Sequence, residues 1–242
     1  MDGKRLSDPT RFAPEPAVEP LETLPWWIVL VPLVPVASSY LVIAGGFVAH
    51  QGADPGFPEN VEFLVMGVAS VLVLAALFVW WDRETWRAAV PVRRPSIREL
   101  GAGVVGSGVA VGLLWPATNV AVAAIGFSPR TPAGASTTVG LVAVVFGVVI
   151  VAPLAEEMLF RGILFGYLLS RWGRISAAVG GSVLLFGIVH PGAAGVLFAV
   201  LSGLLLALLR IRYDNLVGAW LMHALVNVSA FVMAIGLLPA TY

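Results

Sequence analysis

The 242-residue chain is 59% hydrophobic and only 12% charged, its 14 basic residues balance its 14 acidic ones, and it contains no cysteine. Mean hydropathy is +0.92 and the charged fraction is about half the roughly 25% of soluble domains, so the chain reads as a polytopic membrane protein. Neutral charge without a basic, aromatic-interleaved patch gives no support to nucleic-acid binding. The missing cysteines exclude disulfides, thiolate metal sites and a cysteine nucleophile.

Residues 1–24 are polar, proline-rich and of mixed charge. They lack the short basic start and immediate apolar core of a signal peptide, and are expected to form a disordered cytoplasmic tail. An integral membrane domain is expected over 25–242. Apolar runs long enough to cross a bilayer, about 17–25 residues, extend from Trp26 to Ala49, Val61 to Trp81, Leu100 to Phe127 and Leu216 to Leu238. The stretch from Ser136 to Ser170 is too long for one crossing. Pro153 near its middle removes a helix hydrogen bond, which predicts two helices, Ser136–Ala152 and Pro153–Ser170. Ile175–His190 and Ala193–Leu209 complete an all-α fold of about eight transmembrane helices.

Loop charge sets the expected orientation. The Asp82–Glu99 loop holds Arg83, Arg87, Arg93, Arg94 and Arg98, whereas His50–Asn60 holds no Lys or Arg; the amino terminus is therefore expected on the cytoplasmic side of a cell membrane. Trp26, Trp27, Trp80, Trp81 and Trp86 fall where interfacial aromatics belong. Eight crossings leave Arg171, Arg174, Arg210 and Arg212 on the outer side, against the same rule. Removing the Pro153–Ser170 crossing brings them inside, but then Glu156 is expected near the inner face and His190 near the outer one, too far apart to cooperate. The expectation adopted follows the chemistry and keeps eight crossings. Gly101, Gly103 and Gly106 spell a dinucleotide-binding pattern with no preceding strand; helix packing is the better reading.

Ionisable side chains inside apolar segments usually have a function there. Glu156, Glu157 and Arg161 lie in one such segment, His190 ends another, and His223 and Asn227 share a third. Successive helical residues point about 100° apart, so the two glutamates are not expected to share a face. Glu157 and Arg161, at i and i+4 with the acid first, are expected to form a structural ion pair. Glu156 has no opposite charge one turn away, which suits a general base. Pro191 disfavours helix at His190, and Phe186 packs on the same face. His223 and Asn227, again i and i+4, face one way. One carboxylate, two imidazoles and one carboxamide can activate a water, stabilise an oxyanion and protonate a leaving amine. Glu156, His190 and His223 equally match a three-ligand catalytic site for a divalent metal such as zinc.

The sequence Glu156-Glu157-x-x-x-Arg161, then Phe186-x-x-x-His190, then His223-x-x-x-Asn227 resembles the CPBP family over about Ala152–Ser229. That family includes the type II CAAX prenyl proteases and relatives linked to bacteriocin processing and self-immunity. The resemblance implies a membrane endopeptidase with its protease core at about 136–238, acting on membrane-associated or lipidated peptides. It also implies that Glu156 activates water while His190, His223 and Asn227 complete the site. "Metalloprotease" and "glutamic protease" are both used for the family, so a metal stays open. Two other classes remain in view: a non-enzymatic immunity or scaffold protein of the same fold, and a secondary transporter, which the lack of an inverted repeat disfavours.

Overall fold

The computed structural model describes residues 18–50, 57, 60–129 and 135–236. Among these all regular structure is helical. In chain order the helices are α1 (Trp26–Ala49), α2 (Val61–Trp80), the short α3 (Arg83–Ala89), α4 (Ile97–Ala124), α5 (Thr138–Trp172), α6 (Ile175–Ile188), α7 (Gly192–Tyr213) and α8 (Val217–Ala234). Six of them, α1, α2, α4, α5, α7 and α8, are long and apolar enough to cross a membrane, and α6 is apolar but shorter. The all-α membrane class is as expected.

Local chemistry sets the boundaries. The Asp82 carboxylate accepts from the Glu84 and Thr85 amides at 2.9 and 2.8 Å and starts α3. Ser96 Oγ accepts from the Glu99 amide at 3.1 Å ahead of α4, and Thr137 Oγ1 accepts from the Gly140 amide at 3.0 Å ahead of α5. Such caps satisfy amides that have no partner within the helix. Gly173, at φ +59°, ends α5 in the left-handed conformation that glycine adopts without steric cost. Gly103 and Gly106 on α4 face Gly218 and Met222 of α8 so closely that a Cβ would meet them at 2.7 and 2.8 Å, whereas Gly101 faces open space. The packing reading therefore holds for two of the three glycines.

Three expectations are corrected. Residues 1–17 of the expected disordered tail lie outside the described residues, but its last part is ordered: Glu19–Leu21 forms a 3-10 turn, Leu21 is fully buried, and the Leu24 carbonyl accepts from Arg171 Nη2 at 2.7 Å. Second, Pro153 does not divide the stretch after Ser136. α5 runs through it as one 35-residue rod, about 50 Å long at 1.5 Å per residue. Counted with the short α3 the helices number eight among the described residues, in line with the expected count of about eight, and the one rod takes the place of both predicted halves. The ring is absorbed by a change of winding: Val144–Val151 just before it is π-helical, as is Glu157–Leu164 just after it. Wider turns relieve the clash of the ring with the preceding turn.

The third correction removes the conflict over the arginines. With α5 as a single rod, its far end and that of α7 meet the arginine-rich loop. Arg93 and Arg210 both bind Asp214 at 2.6 Å, and the Tyr213 hydroxyl donates to the Arg98 carbonyl at 3.2 Å. The arginines at the ends of α5 and α7 thus share one face with the Asp82–Glu99 loop. Glu156 and His190 still meet, because α6 has only 14 residues, about 21 Å of rise. It delivers His190 to the middle of the bundle instead of its far surface.

Candidate active site

α5 is the central rod, packed by the start of α1, α2, α6 and α8. Glu156 lies at its midpoint, Glu157 opens its second π-helical stretch, and Arg161 follows one turn later. Glu157, Arg161 and His223 are 1%, 0% and 7% exposed, so two charges and an imidazole are held away from water.

Those charges are compensated locally. Arg161 Nη1 donates to Glu157 Oε1 at 3.1 Å, its Nη2 to the Gly203 carbonyl of α7 at 3.4 Å, and its guanidinium lies 3.8 Å from the centre of the Phe186 ring. A cation over an aromatic face in a desolvated setting gains about 2 kcal/mol. Gly203 is needed for the approach, since a Cβ there would stand 3.0 Å from both Arg161 Nη2 and Phe186.

The same Glu157 oxygen lies 2.8 Å from His223 Nδ1. His223 Nε2, on the other side of the ring, is 3.7 Å from Glu156 Oε2. Both glutamates therefore reach one imidazole, against the expectation that they face apart. Two features account for this: the π-helical winding that begins at Glu157 narrows the angle between neighbours, and the ring offers nitrogens on two edges. His190 Nδ1 is 2.7 Å from the Phe186 carbonyl. A carbonyl only accepts, so Nδ1 carries the proton and Nε2 of the neutral ring is the acceptor. The Glu157 carboxylate likewise selects the Nδ1-protonated form of His223.

Asn227 has an unexpected partner. Its Nδ2 donates to the Val148 carbonyl at 2.8 Å. In the π-helical register that carbonyl would accept from residue 153, and proline has no amide hydrogen. Asn227 thus satisfies a carbonyl orphaned by Pro153, and its second amide hydrogen remains for another acceptor.

Glu156, His190, His223 and Asn227 line one cavity of about 460 Å³, walled by apolar residues of several helices including Met66, Val148 and Phe231. Glu157 and Arg161 stand behind this wall. A second chamber of about 30 Å³ touches His190, Ser202, His223 and Asn227, enough room and enough polar partners for a water. The central role of Phe186 went beyond its expected packing on His190. Its ring also meets Phe160 and His223, with centroids 5.2 and 5.8 Å apart; its place at i−4 from His190 was the only signal. Gly203 and the Val148 carbonyl left no sequence signal.

Glu156, His190 and His223 are chemically apt for a divalent metal, and each ring commits Nδ1 to an acceptor as metal-bound histidines do. Among the described residues, however, no three His, Asp or Glu side chains are grouped so as to hold a metal ion. The arrangement does not fit a metal as it stands.

Residues 138–229 match the family model described as type II CAAX prenyl endopeptidase Rce1-like, and that segment contains Glu156, Glu157, Arg161, His190, His223 and Asn227. No curated protein and no solved structure matches the chain significantly.

Proposed function

We propose that this chain is an intramembrane endopeptidase with Glu156 as its general base, a reading supported by the match of residues 138–229 to the type II CAAX prenyl endopeptidase Rce1-like family model. The observation that carries the reading is the pair Glu156 Oε2 and His223 Nε2, 3.7 Å apart on one cavity wall. In the proposed reactive arrangement a single water sits about 2.8 Å from both, after a small opening around Glu156 Oε2, which is buried. Both groups accept hydrogen bonds, so the two water protons are taken up and the oxygen lone pair is aimed into the cavity.

Attack then proceeds as follows. Water oxygen bonds to the scissile carbonyl carbon while Glu156 takes its proton, and the carbonyl π electrons move to oxygen. The second Asn227 Nδ2 hydrogen can donate to that oxyanion, and His190 can add a donor when its Nε2 is protonated. The intermediate collapses by breaking the C–N bond as Glu156 returns the proton to the leaving amine. Glu157 acts through His223: it fixes the tautomer that leaves Nε2 as an acceptor. Arg161 pairs with Glu157 and holds it in place.

The apolar cavity wall suits a membrane-associated or lipidated peptide. The positive-inside rule supports putting the arginine-rich face on the cytoplasmic side, and the proposal has the amino terminus on that side of a cell membrane. Peptide cleavage by purified protein in liposomes, wild type beside Glu156→Gln, tests the reading; equal cleavage by both would remove Glu156 from the mechanism. An immunity or scaffold protein of the same fold would cleave nothing in either form.

A further inference from the structure

A second cavity, of about 490 Å³, opens on the arginine-rich face well away from the catalytic residues. It is lined by Arg83 and Arg87 of α3, Arg93 of the following loop and Arg210 of α7, together with Glu19, Glu84 and Asp214. Four guanidiniums against three carboxylates leave one positive charge. Asp214 is already spent, its two oxygens bound at 2.6 Å by Arg93 and Arg210. Arg210 is buried, so the floor is rigid, whereas the Arg93 side chain is 62% exposed and keeps donors for a further partner. Among the described residues no carboxylate lies within ion-pair distance of Arg83 or Arg87, which face the same way one turn apart.

The level of this cavity is marked by tryptophans. Trp80 ends α2 three residues before Arg83, stacks on Trp27 at 5.4 Å, and is 55% exposed; Trp26 beside it is 71% exposed. Such aromatic belts sit at the headgroup region. The cavity therefore opens where lipid phosphates lie.

We propose that this cavity is a binding site for a phosphate-bearing anion, supplied by the headgroup of an anionic phospholipid. A phosphodiester carries one negative charge, which matches the cavity's excess of one. Arginine forks suit its paired oxygens. A choline headgroup adds a cation that four arginines disfavour, so phosphatidylglycerol is preferred over phosphatidylcholine. The site is independent of the catalytic reading.

The test is native mass spectrometry of the full chain in neutral detergent, titrated with phosphatidylglycerol or phosphatidylcholine, with and without inorganic phosphate. Wild type should bind phosphatidylglycerol saturably and at least fivefold more tightly than phosphatidylcholine. Arg83→Gln/Arg87→Gln, both exposed positions, should lose at least fivefold in that affinity while keeping the unliganded melting temperature. Competition by inorganic phosphate would support phosphate recognition and show that a free anion can also fill the site. Equal binding of the two lipids, or equal affinity in wild type and the double variant, would overturn the proposal. Should the double variant melt early, Arg87→Lys, which keeps the charge and loses the fork, replaces it; unchanged phosphatidylglycerol affinity there would equally overturn the proposal.

Discussion

The Glu157 carboxylate is shared between Arg161 and His223: one oxygen lies 2.8 Å from His223 Nδ1 and 3.1 Å from Arg161 Nη1. A buried carboxylate placed between a guanidinium and an imidazole ties the packing of α5 to the position of the His223 ring. Glu157→Gln removes the charge with little change of shape and deprives Arg161, which is 0% exposed, of its direct ion-pair partner. Breaking a buried ion pair costs about 3–5 kcal/mol. The variant should melt well below wild type in detergent and lose activity with it. Unchanged melting would contradict the ion-pair assignment.

Asn227→Ala removes the donor to the Val148 carbonyl, and an unsatisfied buried acceptor costs about 1–3 kcal/mol. If Asn227 also supports the oxyanion, the turnover number should fall by about 100- to 1,000-fold. Pro153→Ala restores an amide hydrogen that can bond that carbonyl within α5. The stability cost of Asn227→Ala should therefore shrink in the Pro153→Ala background, and a double-mutant cycle on melting temperature reads the coupling. Strict additivity would break the link between the proline and the carboxamide.

Phe186→Ala deletes the ring that Arg161, His190 and His223 all touch. Loss of a buried phenylalanine costs about 3–5 kcal/mol. Phe186→Leu refills much of the volume without a π face. It should recover part of the stability but little of the turnover, because both imidazoles lose their edge-to-face support; kinetics on the two variants at matched folded fraction decide this.

The natural absence of cysteine makes topology directly testable. Single cysteines at the exposed positions Arg94 and Arg174 should be labelled by an impermeant maleimide from the same side of the membrane, and one at Gly126 from the opposite side. Labelling of Arg94→Cys and Arg174→Cys from opposite sides would restore the eight-crossing arrangement.

The polar residues of the site were legible because each is an anomaly in apolar surroundings, and their order along the chain carried the family resemblance. Their convergence was less so. An ideal 100° step per residue separates Glu156 from Glu157, and only the local π winding and the two-edged His223 ring bring both to one place. Pro153 reads as a helix break in the sequence, since proline removes a hydrogen bond; the compensating donor, Asn227, lies 79 positions away from the carbonyl it serves. The arginines at the ends of α5 and α7 counted against the expected topology only while α5 was treated as two helices. The shortness of α6 was visible in the sequence, and its consequence, a histidine delivered to mid-bundle, needed the three-dimensional arrangement.

The central claim is that Glu156 activates the attacking water. Its most direct test is cleavage of membrane-associated peptides, lipidated and unlipidated, by purified protein in proteoliposomes. Wild type and Glu156→Gln are compared, each with and without a strong chelator. The account predicts cleavage by wild type that survives the chelator, and none by a folded Glu156→Gln protein. Full activity in the glutamine variant would contradict it, and loss of wild-type activity to the chelator would move the chemistry onto a metal.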